Sequence, residues 1–274
     1  MASRRPCPER PAVKAKGSLC SALAVVCGLL MAATPSWSSP AYFVDIRTNP
    51  QVLRAGELAQ LEIRVHDGSS GAEVRQLQTT HEEQFHLYFV SEDLRYYAHE
   101  HGHWDARGFL RVDTRFPRPG MYRLLSEYQP AGADPQYTEG TVLVSDAVEA
   151  ATAGSAAAAS HSSAEAPANQ PVLVSLRTEP SPPQPGIKTP LIFTIRPAEG
   201  LEKFHGDWGQ LLVVSDDLAD TIRAEPAFLN GGQMQFNVYF PRPRRYRLWL
   251  EYQHSGVLHR ERMDVDVQEM RGPR

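Results

Sequence analysis

Cysteine is scarce in this chain of 274 residues, and its three cysteines all lie within the first 27 positions. They fall in a segment that we expect to be cleaved, so the remaining protein would contain neither a disulfide nor a thiolate ligand. Its stability must then come from packed cores, and any metal site must use histidine, carboxylate or methionine side chains. The cysteines are Cys7, Cys20 and Cys27.

Long apolar runs are also rare, and the one exception lies near the N-terminus. Residues 19–33 are apolar, follow a basic stretch and precede small residues and prolines, which is the order found in secretory signal peptides. The run is shorter than the ~20 residues of a membrane-spanning helix. We therefore predict a signal peptide over residues 1–38 and no transmembrane span after its cleavage.

The chain also lacks an excess of basic side chains and the common catalytic motifs. It has 28 Lys and Arg against 32 Asp and Glu, which gives no electrostatic footprint for nucleic acid. It contains no Gly-x-Ser-x-Gly and no phosphate-binding glycine loop. Its His99-Glu-His-Gly-His103 segment has the His-Glu-x-x-His spacing, but it falls in a predicted strand and loop, whereas the metalloprotease motif requires a helix. We therefore expect neither an enzyme nor a nucleic-acid-binding protein.

What the chain does contain is an internal repeat. Val90-Ser-Glu-Asp-Leu94 recurs as Val214-Ser-Asp-Asp-Leu218, at an offset of 124 residues. Tyr122-Arg-Leu124 recurs as Tyr246-Arg-Leu248 at the same offset. Matches as dense as these indicate a duplicated domain.

The repeat defines the domain organisation. The segment between the two copies is rich in alanine and serine and is typical of a flexible linker. Each copy has about 100 residues, a common size for one domain. The predicted parts after the signal peptide are the first domain at residues 39–146, the linker at 147–170, the second domain at 171–268 and a C-terminal tail at 269–274.

Each copy has the pattern of a small β-sandwich. Alternating stretches such as residues 58–65 are separated by proline and glycine turns, and about seven such strands follow one another in the first copy. The Pro-Gly-Met-Tyr122 segment resembles the tyrosine corner of immunoglobulin-like domains, so Tyr122 and its equivalent Tyr246 should be structural. The sequence therefore predicts an all-β protein with two tandem immunoglobulin-like β-sandwich domains joined by a flexible linker.

Histidine is concentrated in the first domain, where five of the ten histidines lie between positions 81 and 103. Residues 85–100 have the pattern of two strands joined by a turn. A symmetric turn would place His86 directly opposite His99, with Cβ atoms about 4.5–5.5 Å apart. His101 would project from the same face as His99, and His81 could approach from the preceding loop. These positions predict a metal site formed by His81, His86, His99 and His101.

Other interpretations fit the same histidines. They could form a pH-sensitive or merely polar cluster, because imidazole titrates near neutral pH, or they could belong to a solvated loop without a role. A slip of one residue in the strand pairing would also separate His86 from His99. His103 follows a glycine and is expected to lie outside the site.

The comparison between the two copies favours a specific role for the cluster. Four of the five histidines are replaced in the second copy, although residues that define the fold persist. We therefore expect no comparable site in the second domain, which would serve as a spacer, a dimerisation surface or a docking unit. The replacements are His86 by Gln210, His99 by Arg223, His101 by Glu225 and His103 by Ala227, whereas His81 corresponds to His205.

The first domain resembles a widespread set of exported bacterial β-sandwich proteins related to the YtkA-like domain. The resemblance rests on the His81-x4-His86 and Tyr97-x-His99-x-His101 motifs around Val90-Ser-x-Asp-Leu94. It covers residues 42–145 well and the second domain only through the sandwich framework. It implies an immunoglobulin-like fold, export and an association with copper or other heavy metals. Gly102 stands where proline is usual, which keeps every imidazole but loosens the loop that carries His101.

We therefore expect a non-catalytic metal-binding module in the periplasm or outside the cell. With imidazole ligands the candidate ions are Cu(II) and Zn(II), and Cu(II) has the higher intrinsic affinity for nitrogen sites. Glu83 or Glu100 would orient a ring N–H. The alternative is a structural protein whose tandem domains dock an envelope or membrane-complex partner of unknown identity, and removal of metal would leave such a protein unaffected.

Overall fold

The computed structural model describes residues 41–147 and 171–269. The predicted signal peptide, nearly all of the predicted linker and the last five residues lie outside these ranges. Both described ranges belong to one compact unit. No helix within them is long and apolar enough to cross a membrane.

The first domain is built from eleven strands. They are β1 (Tyr42–Asn49), β2 (Leu53–Arg54), β3 (Leu58–Asp67), β4 (Glu73–Val74), β5 (Leu77–Gln78), β6 (Phe85–Ser91), β7 (Tyr97–His101), β8 (His103–Trp104), β9 (Leu110–Arg115), β10 (Gly120–Pro130) and β11 (Gln136–Ser145). One sheet has the order β1-β3-β9-β8 with β4 beside β3, and the other has the order β2-β11-β10-β6-β7 with β5 beside β10. Seven of these strands have five or more residues, in agreement with the prediction.

The second domain repeats this plan with nine strands. They are β12 (Leu173–Thr178), β13 (Lys188–Arg196), β14 (Leu201–Glu202), β15 (Gln210–Ser215), β16 (Thr221–Ala224), β17 (Pro226–Asn230), β18 (Gln233–Tyr239), β19 (Arg245–His254) and β20 (Val257–Asp266). One sheet has the order β12-β13-β18-β17 and the other β14-β19-β15-β16, with β20 beside β19.

Alternation along the strands places one face of each sheet in a core. In β3, for example, Leu61, Ile63 and Val65 are fully buried while the residues between them are partly exposed. Side chains from the two sheets of the first domain form one hydrophobic cluster, and those of the second domain form another. The protein therefore contains two tandem immunoglobulin-like β-sandwich domains, as the sequence predicts.

Strand pairing reproduces the repeat found in the sequence. His86 lies opposite Glu127 in the first domain, and their equivalents Gln210 and Glu251 lie opposite each other in the second domain. The offset of 124 residues therefore relates positions in space as well as in sequence.

The two tyrosine corners are also present. The Tyr122 hydroxyl donates a hydrogen bond to the Arg118 carbonyl at 2.8 Å. The Tyr246 hydroxyl lies 3.1 Å from the corresponding carbonyl of Arg242. Both tyrosines are buried, so the structural role predicted for them is confirmed.

The hairpin that carries the histidine cluster has a different register from the predicted one. His86 lies opposite His101, and Tyr88 lies opposite His99, so the predicted pairing of His86 with His99 was wrong by two residues. The turn is longer than predicted because Leu94 adopts a left-handed conformation, with φ of 54°, before the second strand begins. A shift of two residues keeps every side chain on the same face of the sheet.

The outer faces of two sheets, one from each domain, pack against each other. Strands β6 and β15 are buried along their whole length, whereas a strand with one side in solvent would alternate between buried and exposed residues. A third hydrophobic cluster fills this interface. Its members are Tyr88, Val90, Leu94, Tyr97 and Leu125 of the first domain and Leu212, Val214, Leu218 and Trp249 of the second.

The interface uses the same patch on both domains. Eight of the nine clustered residues form equivalent pairs at the offset of 124, such as Val90 with Val214 and Leu125 with Trp249. This is the arrangement of a twofold-symmetric interface, in which each contact between two positions occurs twice. The histidine-bearing face of the first domain is therefore covered by the second domain.

Candidate metal centre

Three of the four predicted ligands come together on the covered face of the first domain. His86 lies on β6, and His99 and His101 lie on β7. They offer ring nitrogens that are all within 4.8 Å of one another. His86 and His99 are buried, and His101 is half-buried. Three imidazole nitrogens at this separation could hold a metal ion.

In their neutral forms, the rings of His86 and His99 face each other through unprotonated nitrogens. The Nε2 of His86 donates its hydrogen to the Thr80 carbonyl at 3.0 Å, and the Nδ1 of His99 donates to the Glu251 carboxylate at 2.8 Å. In neutral rings this leaves the Nδ1 of His86 and the Nε2 of His99 unprotonated, and these atoms are 3.1 Å apart.

Two lone pairs at this distance repel each other unless a proton or a cation lies between them. Two imidazole nitrogens on one tetrahedral ion are about 3.3 Å apart when each metal–nitrogen distance is about 2.0–2.1 Å. The observed separation of 3.1 Å between His86 and His99 is close to that value. This separation fits two ligands of one ion, and it also fits a hydrogen bond in which one of the two nitrogens carries a proton.

His101 supplies a third nitrogen next to this pair. Its ring centroid is 5.0 Å from that of His86 and 4.7 Å from that of His99. Its Nε2 is buried and makes no hydrogen bond to any residue that the structure describes. Buried polar atoms are rarely left unpaired, so this nitrogen marks a place for an ion or a water molecule.

Burial keeps two of these imidazoles neutral. It lowers the pKa of His86 to about 3, against the opposing effect of the hydrogen bond to Thr80. It also lowers the pKa of His101 to about 3, together with the nearby His99 and His86. The neutral form is the one that binds metal, so both rings are ready to act as ligands at neutral pH.

A buried carboxylate of the second domain holds the ring of His99. Glu251 is fully buried and accepts hydrogen bonds from His99 and, at 2.6 Å, from Arg260. Burial by itself would raise the pKa of Glu251, but these two contacts outweigh burial and lower the pKa to about 2. Such a carboxylate fixes the tautomer of a metal-binding histidine and balances the charge of the ion.

His81, the fourth predicted ligand, lies at the edge of the cluster. Its ring centroid is 6.0 Å from that of His86, and its Nε2 is 2.8 Å from the Glu225 carboxylate of the second domain. The hydrogen bond to Glu225 raises the pKa of His81, although burial opposes it. The protonated form of His81 is therefore favoured, and that form has no free lone pair for a metal.

The interface has a second, equivalent half. At the offset of 124, the contact of His99 with Glu251 corresponds to a contact of Arg223 with Glu127. The Nε of Arg223 is 3.2 Å from the Glu127 carboxylate, and both side chains are buried. The same Nε is 3.1 Å from the hydroxyl of Tyr88. A guanidinium thus occupies the position that an imidazole has in the other half.

We call these two regions the histidine half and the arginine half. In the arginine half, His81, Glu127 and Glu225 also lie close enough to share an ion. The Arg223 guanidinium already supplies the positive charge there, because it is paired with Glu127. The histidine half is therefore the candidate metal centre. Its residues are His86, His99, His101, His205 and Glu251, and the arginine half comprises His81, Glu127, Gln210, Arg223 and Glu225.

A surface cavity borders the histidine half at His101. It has a volume of about 520 Å³ and includes His101 in its wall. Several carboxylates line the same cavity, among them Glu100, Asp105 and Asp113. Arg111 is in the same wall and is paired with Asp105, so this one cation does not balance the charge of all three carboxylates.

The orienting groups of the first two rings, Thr80 and Glu251, were not identified from the sequence. Glu251 had a signal, because both copies keep a Glu-Tyr-Gln segment within an otherwise apolar strand. His205 had one as well, since it is the only one of the five compared positions that keeps its histidine. Repeated polar residues in a core strand are therefore worth treating as site candidates.

Comparisons with solved structures give distant similarities. They include a Ca²⁺-stabilised, ice-binding adhesin of an Antarctic bacterium (11% identity, TM-score 0.25), dimeric latent PorU from Porphyromonas gingivalis (11%, 0.29) and a mutant Salmonella alpha-2-macroglobulin (10%, 0.28). Each match covers 85% of this chain but only 49%, 25% and 15% of those chains, respectively. TM-scores this low do not establish a shared fold or a shared function.

The chain matches no curated protein. One family model, described as a domain of unknown function (DUF8832), matches residues 41–145 and again residues 170–269. The two matches coincide with the two β-sandwich domains and together span well over half of the sequence. The chain therefore belongs to the DUF8832 family and carries its domain twice.

Proposed function

We propose that this protein is an exported, non-catalytic metal-binding module that holds one copper or zinc ion in the histidine half. The observation that carries the proposal is the 3.1 Å separation of the Nδ1 of His86 and the Nε2 of His99, whose other ring nitrogens are both hydrogen-bonded to oxygen atoms. The unpartnered Nε2 of His101 beside them supplies a third ligand.

The ligand chemistry supports copper or zinc. Imidazole suits both ions, and hard cations such as Mg²⁺ and Ca²⁺ prefer oxygen ligands. The resemblance of the first domain to the YtkA-like proteins agrees with this choice, because that resemblance implies an association with copper or other heavy metals. The apolar segment at residues 19–33 supports export to the periplasm or the cell exterior.

Burial of the centre favours binding over catalysis. His86 is 0% exposed and His99 is 7% exposed, so a substrate has little room beside an ion held by these rings. Catalytic sites keep an open coordination position, whereas structural and storage sites are enclosed. The cavity beside His101 is a route by which an ion could enter or leave.

The test is a titration of purified full-length protein with Cu(II) and with Zn(II) by calorimetry, with the metal content measured by mass spectrometry. We expect wild type to bind one ion and the His86→Ala variant to lose this binding. His103→Ala is the matched control, because His103 is exposed and lies only two residues from His101. It should bind as wild type does.

Equal binding by the wild type and the His86→Ala variant would overturn the proposal. Weak binding in all three proteins would also overturn it, and would indicate that a shared proton joins His86 and His99. The cluster would then be a pH-sensitive element rather than a metal centre.

A further inference from the structure

His205 lies in a turn of the second domain that matches the turn carrying His81 in the first. The turn from Phe204 to Asp207 is closed by two backbone hydrogen bonds of 2.7 and 3.2 Å, and the turn from Thr80 to Glu83 by two of 2.7 and 3.0 Å. Both histidines have left-handed backbones, with φ of 50° for His205 and 51° for His81. Such a conformation is uncommon for a residue other than glycine, so both turns present histidine in the same unusual way.

Each of these turn histidines reaches across the interface to an equivalent position of the other domain. His81 contacts Glu225, with nitrogen and oxygen 2.8 Å apart. His205 contacts His101, the equivalent of Glu225, with ring centroids 4.8 Å apart. A histidine beside a carboxylate forms an ion pair. His101 carries no carboxylate, so it cannot form an ion pair of this kind with His205.

The nitrogens at the second contact lack hydrogen bonds. The Nε2 of His101 and the Nδ1 of His205 are both buried, and neither makes a hydrogen bond within the described part of the chain. The Nδ1 of His205 forms a longer ion pair with Glu82 of the first domain, with one carboxylate oxygen 3.5 Å away. The two rings are in contact, and one shared cation would satisfy both of these buried nitrogens.

We propose that His205 is the fourth ligand of the metal centre, so that the ion joins the two domains. The inference rests on the metal-binding function proposed above and extends it by naming the second domain as a contributor to the site. His86, His99 and His101 come from the first domain, and their nitrogens lie within 4.8 Å of one another. His205 lies outside that group but packs edge-on against His101, and by turning toward the ion its ring would complete a set of four imidazoles. A four-nitrogen set of this kind is closed, which suits retention of the ion rather than chemistry at it.

This arrangement makes ion binding and domain packing one event. Glu251 of the second domain already holds His99 in place, at 2.8 Å. With His205 as a ligand, the second domain provides both a direct bond to the ion and the carboxylate that orients another ligand. An ion bound in this way stabilises the packed arrangement of the two domains, because it binds that arrangement alone.

The experiment compares His205→Ala with His81→Ala in the full-length protein. These variants are matched, because the two histidines occupy equivalent turns with the same backbone conformation. We expect His205→Ala to lower Zn(II) affinity by about 10- to 100-fold or more, and His81→Ala to change it by less than threefold. X-ray absorption of the Zn(II) form should count four imidazoles in wild type and His81→Ala, and three in His205→Ala.

Circular dichroism of the metal-free variants establishes that both are folded, and His205→Gln provides a second variant of similar size. Unchanged affinity and four imidazoles in His205→Ala would overturn the inference. Loss of a ligand in His81→Ala instead would overturn it too, and would make His81 the fourth ligand.

These outcomes are separate from failure of the proposed function. If His86→Ala abolishes binding but His205→Ala does not change it, the three-histidine centre stands and the bridge between domains is wrong. If wild type binds no ion tightly, both proposals fall together.

Discussion

The histidine half and the arginine half answer the same electrostatic problem in two ways. Each places a buried glutamate at the same position of a core strand, Glu251 in one and Glu127 in the other. A buried carboxylate is strongly unfavourable unless a positive partner is close. The arginine half supplies that partner as part of the chain, through the Arg223 guanidinium. In the histidine half Glu251 is paired with Arg260 and His99, and the neutral rings of His86 and His101 beside them add free lone pairs, which suit an exchangeable cation.

The difference shows how the same backbone arrangement can carry either a permanent side-chain cation or a site for an exchangeable one. Arg223 is held by the Glu127 carboxylate, the Tyr88 hydroxyl and the carbonyl of Ala224. It carries its charge under all ordinary conditions. His86 and His101 are kept neutral by burial, so a positive charge at these rings has to come from a bound cation. The two halves differ at three pairs of equivalent positions, which are His86 and Gln210, His99 and Arg223, and His101 and Glu225.

Among variants that distinguish the two halves, we expect Arg223→Leu to have the largest effect, a loss of stability. The substitution would leave Glu127 charged and buried without its partner, so the free energy of unfolding should fall by about 3–5 kcal/mol. Urea denaturation of the full-length protein measures it. Metal binding should persist, because the histidine half is left intact.

The control for this change is Arg245→Leu, which removes an ion pair of Arg245 and Asp266 whose side chains are more than half exposed. It should change stability by about 1 kcal/mol or less. Equal losses in the two variants would mean that Arg223 has no special role in neutralising the arginine half.

A smaller effect should distinguish the two glutamates. Glu251→Gln keeps the shape of the side chain but removes the charge that orients His99, so Zn(II) affinity should fall by about 10- to 100-fold. Glu127→Gln is the equivalent change in the arginine half and should leave affinity within threefold of wild type. Calorimetric titration of both variants checks this. If the two affinities fell together, the metal centre could not be confined to the histidine half.

The smallest effect should separate the two tyrosine corners. The Tyr246 hydroxyl is 2.9 Å from the Asp220 carboxylate as well as close to the Arg242 carbonyl. Tyr246→Phe should therefore lower the free energy of unfolding by about 1.5–3 kcal/mol, as for a hydrogen bond to a charged group. Tyr122→Phe loses a bond to a neutral carbonyl, worth about 0.5–1.5 kcal/mol. Urea denaturation midpoints in the reverse order would contradict this assignment.

Much of the fold follows from local patterns in the sequence. The alternation in β3 and the two tyrosine corners, Pro119-Gly-Met-Tyr122 and Pro243-Arg-Arg-Tyr246, depend on neighbouring residues, and both features were predicted. The grouping of His86, His99 and His101 was predicted as well, because a shift of two residues preserves the face of a strand. The register itself was wrong, because the left-handed conformation of Leu94 lengthens the turn and leaves no mark in its composition.

The parts of the site contributed by the second domain could not be predicted in the same way. Glu251 is 152 residues from His99 along the chain, and a linker rich in alanine and serine does not specify how two domains pack. The sequence pattern also does not distinguish apolar interface residues such as Val90 and Trp249 from residues of the sandwich cores. Only their position on the outer face of a sheet shows that the two domains cover each other.

The twofold-like interface has a consequence for what substitution can achieve. If two separate, identical chains met through this patch, each change of sequence would appear in both halves at once, so a guanidinium gained in one half would displace the imidazole from the other. One chain that carries both copies is free of this restriction, since position 223 can change while position 99 stays the same. Joining the copies in one chain therefore allows one half to carry a permanent positive charge while the other half keeps its imidazoles for an ion.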